Sequence, residues 1–230
     1  MIYALRMRRS DHRILTTHVG SLPRPADFDA ARLPEAVAAI VRKQADTGID
    51  IVNDGEFSKS SWSAYFSERL ANIDVRPGTR SMPGYIWQRD EHLFPEWFAG
   101  ERRTGGPRYS HVLRARQGPP APQSGSWCVG PLAYIGAAQV QADIVNLKAA
   151  AAGHAVSELC LTALAPTIMA YFLADAHYGD EEKFLFAIAE AMNAEYRAIT
   201  DAGLLLQIDE PALATNWHFL TGMDVPAYGR

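Results

Sequence analysis

Five β-prone runs that mostly alternate with amphipathic helical stretches, two of them ending in paired carboxylates and none followed by a glycine-rich phosphate loop, predict an α/β fold of the (β/α)8 TIM-barrel type. The alternation itself predicts a parallel sheet under helical cover. A doubly wound sheet would usually carry G-x-G-x-x-G or G-x-x-x-x-G-K-[ST] after its first strand, and neither occurs in the 230 residues. In barrels, ligands collect where strands end, so polar strand ends favour that architecture. A barrel typically needs eight strands and about 250 residues. The expectation is therefore a single incomplete β/α-barrel domain over 1–230, with only about the first five β/α units and a long irregular excursion at about 74–125.

The first β-prone run, Ile14-Leu15-Thr16-Thr17, leads into His18-Val19-Gly20-Ser21-Leu22-Pro23-Arg24-Pro25. A strand that stops in a Gly-Ser turn offers backbone N–H groups and a hydroxyl, which suits a carboxylate or another anion. His18 can cap that turn or face the cleft, and a turn histidine more often caps. A helix is expected over Pro34 to Asp46, where Val37, Ile40, Val41, Gln44 and Ala45 mark one face, with proline near its start and Gly48 after its end. Ile49 to Asn53 reads as a second strand ending in Asp54-Gly55-Glu56-Phe57. Beyond Ser58, the apolar members of Trp62, Tyr65, Phe66, Arg69 and Leu70 recur at helical steps and read as core.

From Asp74 to Gly125 the texture changes to proline and arginine without lysine, and neither periodicity persists. That reads as an excursion over a binding face or a partly ordered loop. Its arginines could attract an anionic substrate or a polyglutamate tail, although most read as simply solvated. Ser126 to Pro131 is a third strand, followed by a helix with Val140, Ile144 and Leu147 on one stripe that stops at Gly153. Ser157 to Ala163 is a fourth. Asp180 caps a long helix with Glu181 and Glu182 in its first turn and a stripe of Phe184, Leu185, Ile188, Met192, Tyr196 and Ile199. After Gly203, the apolar run Leu204 to Ile208 delivers Asp209 and Glu210 to a strand end. An isolated Asp-Glu pair more often caps the next element, but Asp54 and Glu56 repeat the pattern at another strand end, which points to ligand binding.

Composition narrows the partners. A formal charge of −4 and a pI of about 6.0 give no electrostatic case for nucleic acid. No apolar run approaches the roughly 18 residues of a membrane span, and the amino-terminal stretch has no apolar h-region. Cys128 and Cys160 lie far apart and fit a reducing cytoplasm better than a disulfide scaffold.

Four ordered motifs carry a family resemblance: Thr16 to Pro25, Gly48 to Phe57, Gly130-Pro131, and Gln207 to Ala212. Over about 14–214 the chain resembles the cobalamin-independent methionine synthase family, in its short, catalytic-domain-only branch. The resemblance implies a β/α barrel that moves a methyl group from a methyl-tetrahydrofolate to the thiol of homocysteine. By the same resemblance, Ser21 in the Gly20-Ser21 turn holds the amino acid's carboxylate, Glu56 and Asp209 hold its ammonium, and His18 and Glu210 flank those contacts. An anion-binding turn opposite paired carboxylates is what a zwitterion requires, since charge-assisted hydrogen bonds are the stronger class. The family activates the thiol with zinc held by a His-x-Cys pair, a glutamate and a second cysteine on later strands. None of the seven histidines is followed two positions later by cysteine, and Cys128 and Cys160 do not match the ligand positions, so no complete zinc site is expected in this chain alone. Trp127 and the Gly130-Pro131 turn lie where the family places part of the folate pocket; Trp127 can stack there or be core. The short branch also resembles epoxyalkane:coenzyme M transferases, whose sulfonate thiol would leave Glu56 and Asp209 out of place. The remaining reading is an inert truncated barrel or an interaction subunit, with self-association or a second chain completing the barrel.

Overall fold

The computed structural model describes residues 10–59, 62–77, 88–103, 124–215 and 224–228. Its strands are Ile51–Val52 (β1), Ile73–Pro77 (β2), Ser124–Cys128 (β3), Glu158–Leu164 (β4), Leu173–Asp175 (β5) and Leu205–Asp209 (β6). Its helices are Leu33–Asp46 (α1), Trp62–Arg69 (α2), Gln88–Leu93 (α3), Pro95–Arg103 (α4), Ala137–Ala151 (α5), Pro166–Phe172 (α6), Glu181–Asp201 (α7), Ala212–Thr215 (α8) and Val225–Tyr228 (α9).

The sheet that carries the site is parallel, in the order β1-β4-β6. An isolated parallel bridge between Thr17 and Ile51 adds the first segment at its β1 side. Strand alternation then sorts the side chains of β4. Leu161 and Ala163 pack with Val37 and Val41 of α1, Val140, Ile144 and Leu147 of α5, and Ile199 of α7. Thr162 points to the opposite face. Each helix offers the stripe expected of it: α1 buries Val37, Val41 and Gln44, and α7 starts where the Asp180 carboxylate accepts the Lys183 N–H at 2.9 Å.

Two expectations need correcting. Ser126 to Pro131 was expected as the third strand of the parallel sheet, but β3 lies in a separate sheet, antiparallel to β2 and parallel to β5. Three strands and a bridge, not five strands, therefore make up the described part of the site's sheet. A β-prone run reveals its own extension but not its partner. β2 and β5, which pair with β3, were too short to announce themselves. The excursion is likewise less irregular than expected, since β2, α3, α4 and the start of β3 fall within it. These elements are shorter than the window over which a period can be counted. Residues 78–87 and 104–123, also part of that expectation, lie outside the described residues.

A second core joins the two sheets: Tyr65, Phe66 and Leu70 meet Cys128, Leu164, Ile168, Met169, Leu173, Phe184, Ile188 and Met192. Between the cores runs a buried ionic cluster. Arg69 lies 3.1 Å from Asp143 and 3.8 Å from Glu195, and the Tyr134 hydroxyl donates to Glu195 at 2.6 Å. Gly136 must be glycine here, because a Cβ would stand 2.4 Å from the Arg69 side chain. Burial pushes the Glu195 carboxyl up to about 7.

Candidate functional site

The site is built at the end of β1, where the chain folds back on itself twice. Gln44 of α1 brackets Asn53, donating to its carbonyl at 2.8 Å and accepting its N–H at 3.1 Å. Asn53 Oδ1 accepts the Gly55 N–H, and Asp54 Oδ1 accepts the Glu56 N–H, each at 2.9 Å. Two staggered side-chain turns of this kind hold Gly55 at φ +68° and Glu56 at φ +59°. Glycine adopts such an angle freely, whereas for glutamate it costs roughly 1 kcal/mol. A strained, buried carboxylate marks a position held for its chemistry more than for its fold.

Glu56 is 8% exposed and both its oxygens are engaged. The Ser21 hydroxyl donates to Oε2 at 2.5 Å, and the Thr162 hydroxyl donates to Oε1 at 2.8 Å. The Gly-Ser turn reaches Glu56 because Gly20 takes φ +86° and the Leu22 N–H bonds the Gly55 carbonyl at 3.1 Å. Behind Thr162 stands Lys59, whose ammonium donates to the Thr162 carbonyl at 2.5 Å and hydroxyl oxygen at 2.6 Å, and lies 5.3 Å from the centre of the Tyr65 ring.

Asp209 comes from β6, in register with Leu164, and accepts a hydrogen bond from Gln207 at 2.8 Å. Burial raises its carboxyl above the usual range, the Gln207 hydrogen bond opposes that, and the charges of Glu56 and Lys59 push it up and down respectively. Asp209 therefore shares one electrostatic neighbourhood with Glu56 and Lys59. Asp54 belongs to it too: burial raises its carboxyl, and Lys59 is the largest opposing influence.

The remaining sequence candidates turn elsewhere. His18 Nε2 stands 2.7 Å from the Gly20 carbonyl, so that nitrogen carries the proton, and the His18 carbonyl accepts from Asn53 at 3.0 Å. The histidine caps its own turn. Glu210 accepts from the Thr167 hydroxyl and, at 3.2 Å, from the Ile168 N–H, at the start of α6. Trp127 lies in the other sheet with the Arg76 guanidinium 4.8 Å from its ring centre.

Lys59 and Thr162 were not singled out from the sequence, whereas Asp54 was read there with Glu56 as a strand-end carboxylate. Thr162 left a signal, as the only hydroxyl within Leu159 to Ala165, and Lys59 follows Glu56 by three positions. Neither signal separates a site residue from a solvated one without a partner in space.

No protein-family model matches the chain. It is 22% identical over 218 residues to a methionine synthase of Sulfolobus acidocaldarius, covering 87% of this chain and 52% of that protein. It is also 22% identical over 216 residues to a 5-methyltetrahydropteroyltriglutamate–homocysteine methyltransferase of Thermotoga petrophila, covering 86% of this chain and 24% of that one. Among solved structures, a B12-independent methionine synthase from Shewanella sp. W3-18-1 in complex with selenomethionine superposes with a TM-score of 0.60 at 21% identity, over 92% of this chain and 56% of that one. A putative B12-independent methionine synthase from Listeria monocytogenes gives 0.55 at 19% identity, over 93% and 57%. The chain thus spans about half, or less, of the length of these relatives.

The resemblance read from the sequence also implies zinc. Among the described residues no three His, Cys, Asp or Glu side chains are grouped to hold a metal ion. Both cysteines are buried, and burial pushes their thiols up, Cys160 to about 11.

Proposed function

Because the chain is similar in sequence and fold to the cobalamin-independent methionine synthases, we propose that it is the amino-acid-gripping part of an S-methyltransferase of that type, in which a methyl group passes from a methyl-tetrahydrofolate to the thiol of homocysteine. The observation that carries this reading is the direct contact of Ser21 with Glu56, past the end of β1, with the charge of Glu56 acting on Asp209 at the end of β6 in the same parallel sheet. Glu56 and Asp209 supply negative charge for an ammonium, and Ser21 supplies a hydroxyl for a carboxylate.

The apo geometry suggests how the two ends are coupled. Ser21 has one proton, and it is spent on Glu56 Oε2. A ligand carboxylate that takes this proton releases Oε2 to accept from the ligand's ammonium. Gripping one end thereby prepares the other, and a ligand with a carboxylate but no amine would leave Glu56 Oε2 without a partner. No step is assigned to zinc, since the described residues do not fit it.

Calorimetric titration tests the reading. The chain is expected to bind L-homocysteine and L-methionine and to discriminate against 2-mercaptoethanesulfonate, with Glu56→Gln and Asp209→Asn each weakening amino-acid binding at least about tenfold. A preference for the sulfonate thiol would overturn it in favour of a coenzyme M type of alkyl transfer. Binding of neither ligand would favour an inert barrel segment.

A further inference from the structure

Lys59 stands among acids, and among the described residues its hydrogen bonds go to Thr162 and not to a carboxylate. Its charge reaches Asp54, Asp209 and Glu195, and also Cys160, while its protons go to the carbonyl and hydroxyl oxygens of Thr162 and its remaining side faces the Tyr65 ring. The Arg69 guanidinium lies 5.1 Å from the centre of the same ring and is committed to Asp143 and Glu195. Lys59 is therefore a cation that the site itself holds, with two of its three donors committed to Thr162.

A hydroxyl that accepts from an ammonium must direct its own proton elsewhere. Thr162 directs it to Glu56 Oε1. Lys59 thus fixes the polarity of the Lys59–Thr162–Glu56 chain and, with it, the rotamer of the carboxylate. We propose that Lys59 is a positioning residue for the amine end of the bound ligand, orienting Glu56 through Thr162 and setting a fixed positive charge beside Asp54 and Asp209. This rests on the amino-acid reading above.

The two contributions predict separable effects. The charge of Lys59 lowers the Asp209 carboxyl and that of Glu56 raises it, so loss of the Lys59 charge leaves Glu56 to raise it further. The acid side of amine binding then moves to higher pH. Loss of the Thr162 hydroxyl, by contrast, loosens Glu56 without removing charge.

The test uses the full 230-residue chain and titrates L-methionine and its amine-free analogue methylthiobutanoate from about pH 5 to about pH 9. Lys59→Met is expected to lose about tenfold in methionine affinity, with little change for the analogue, and to shift the acid limb upward. Thr162→Val is expected to lose affinity with the limb in place, and Lys59→Arg to retain the limb. A Lys59→Met protein with wild-type affinity and limb would overturn the assignment, as would equal losses for both ligands, the mark of a purely structural role. If Lys59→Met does not fold, unchanged affinity in Thr162→Val or a displaced limb in Lys59→Arg overturns it. A wild-type chain that fails to prefer methionine over the analogue sinks the amino-acid reading and Lys59's role together; a wild-type chain that prefers it beside a silent Lys59→Met sinks the role alone.

Discussion

Ser21 and Glu56 meet because two turns, each stabilised by a side chain or a glycine, bring their ends together, while Glu210, one residue past Asp209, takes a different task. The Glu210 carboxylate accepts from the Thr167 hydroxyl and the Ile168 N–H in the first turn of α6, a position that also suits the helix dipole. Glu210→Gln is therefore expected to lower unfolding free energy by about 1 kcal/mol while leaving the methionine dissociation constant within about twofold of wild type. Urea titration and calorimetry on the same preparation read the two quantities; a large loss of affinity with stability intact would return Glu210 to the binding site. Neighbouring acids at a strand end look alike in sequence. What separated them was place: Asp209 ends β6 and Glu210 lies just past it, and only the partners found there, Gln207 in one case and α6 in the other, decide the role. Lys59 and Thr162 stayed hidden for the same reason, since a lysine after a turn and a threonine in an apolar strand are unremarkable until they face each other across 103 positions.

Among elements, the helices were legible and the strand partners were not. α1, α5 and α7 each bury the stripe that their spacing marks, because a helix's periodicity reports its own buried face. β3 carries an equally clear run yet joins β2 and β5, since pairing depends on elements distant in sequence. The α7 stripe also holds Glu195, which no apolar pattern would include. Arg69 is shared by two carboxylates, nearer to Asp143, and the farther Glu195 holds a proton up to about 7 instead of its usual 4.5. Between those values the folded chain keeps a proton that the unfolded chain has released, so this group's contribution to stability is full below about 4.5 and is lost as pH rises through about 7. Glu195→Gln is expected to flatten that decline in urea midpoints measured across the interval; an unchanged slope would rule Glu195 out as its source. At the sheet's other side, Asp50 receives Arg13 and the Thr16 N–H and hydroxyl, and the Arg13 hydrogen bond holds its carboxyl well below the usual range. Asp50→Asn should speed hydrogen exchange at the Asp50 and Ile51 amides, which donate to the Thr16 carbonyl, more than at the β4–β6 ladder.

For the whole molecule, the division of labour follows from which residues this half-length match to its relatives contains. Ser21, Glu56, Asp209, Lys59 and Thr162 all lie within it. Activation of the sulfur is another matter, because a free thiol with a pKa near 8.5 is only a few per cent thiolate at neutral pH, and the described residues offer no grouped donors for a metal that would lower it. Grip and activation should therefore separate. Methionine, whose sulfur is already alkylated, is expected to bind the 230-residue chain with the same dissociation constant before and after exhaustive treatment with a chelator, and metal analysis should find well under one zinc per chain. Supplying in trans a polypeptide that carries the other half of a relative's length is expected to raise zinc content toward one and to leave the methionine affinity nearly unmoved. Stoichiometric zinc on the chain alone, or methionine binding that vanishes with the metal, would mean that the two tasks share residues, and that the grip drawn from Ser21, Glu56 and Asp209 is not sufficient by itself.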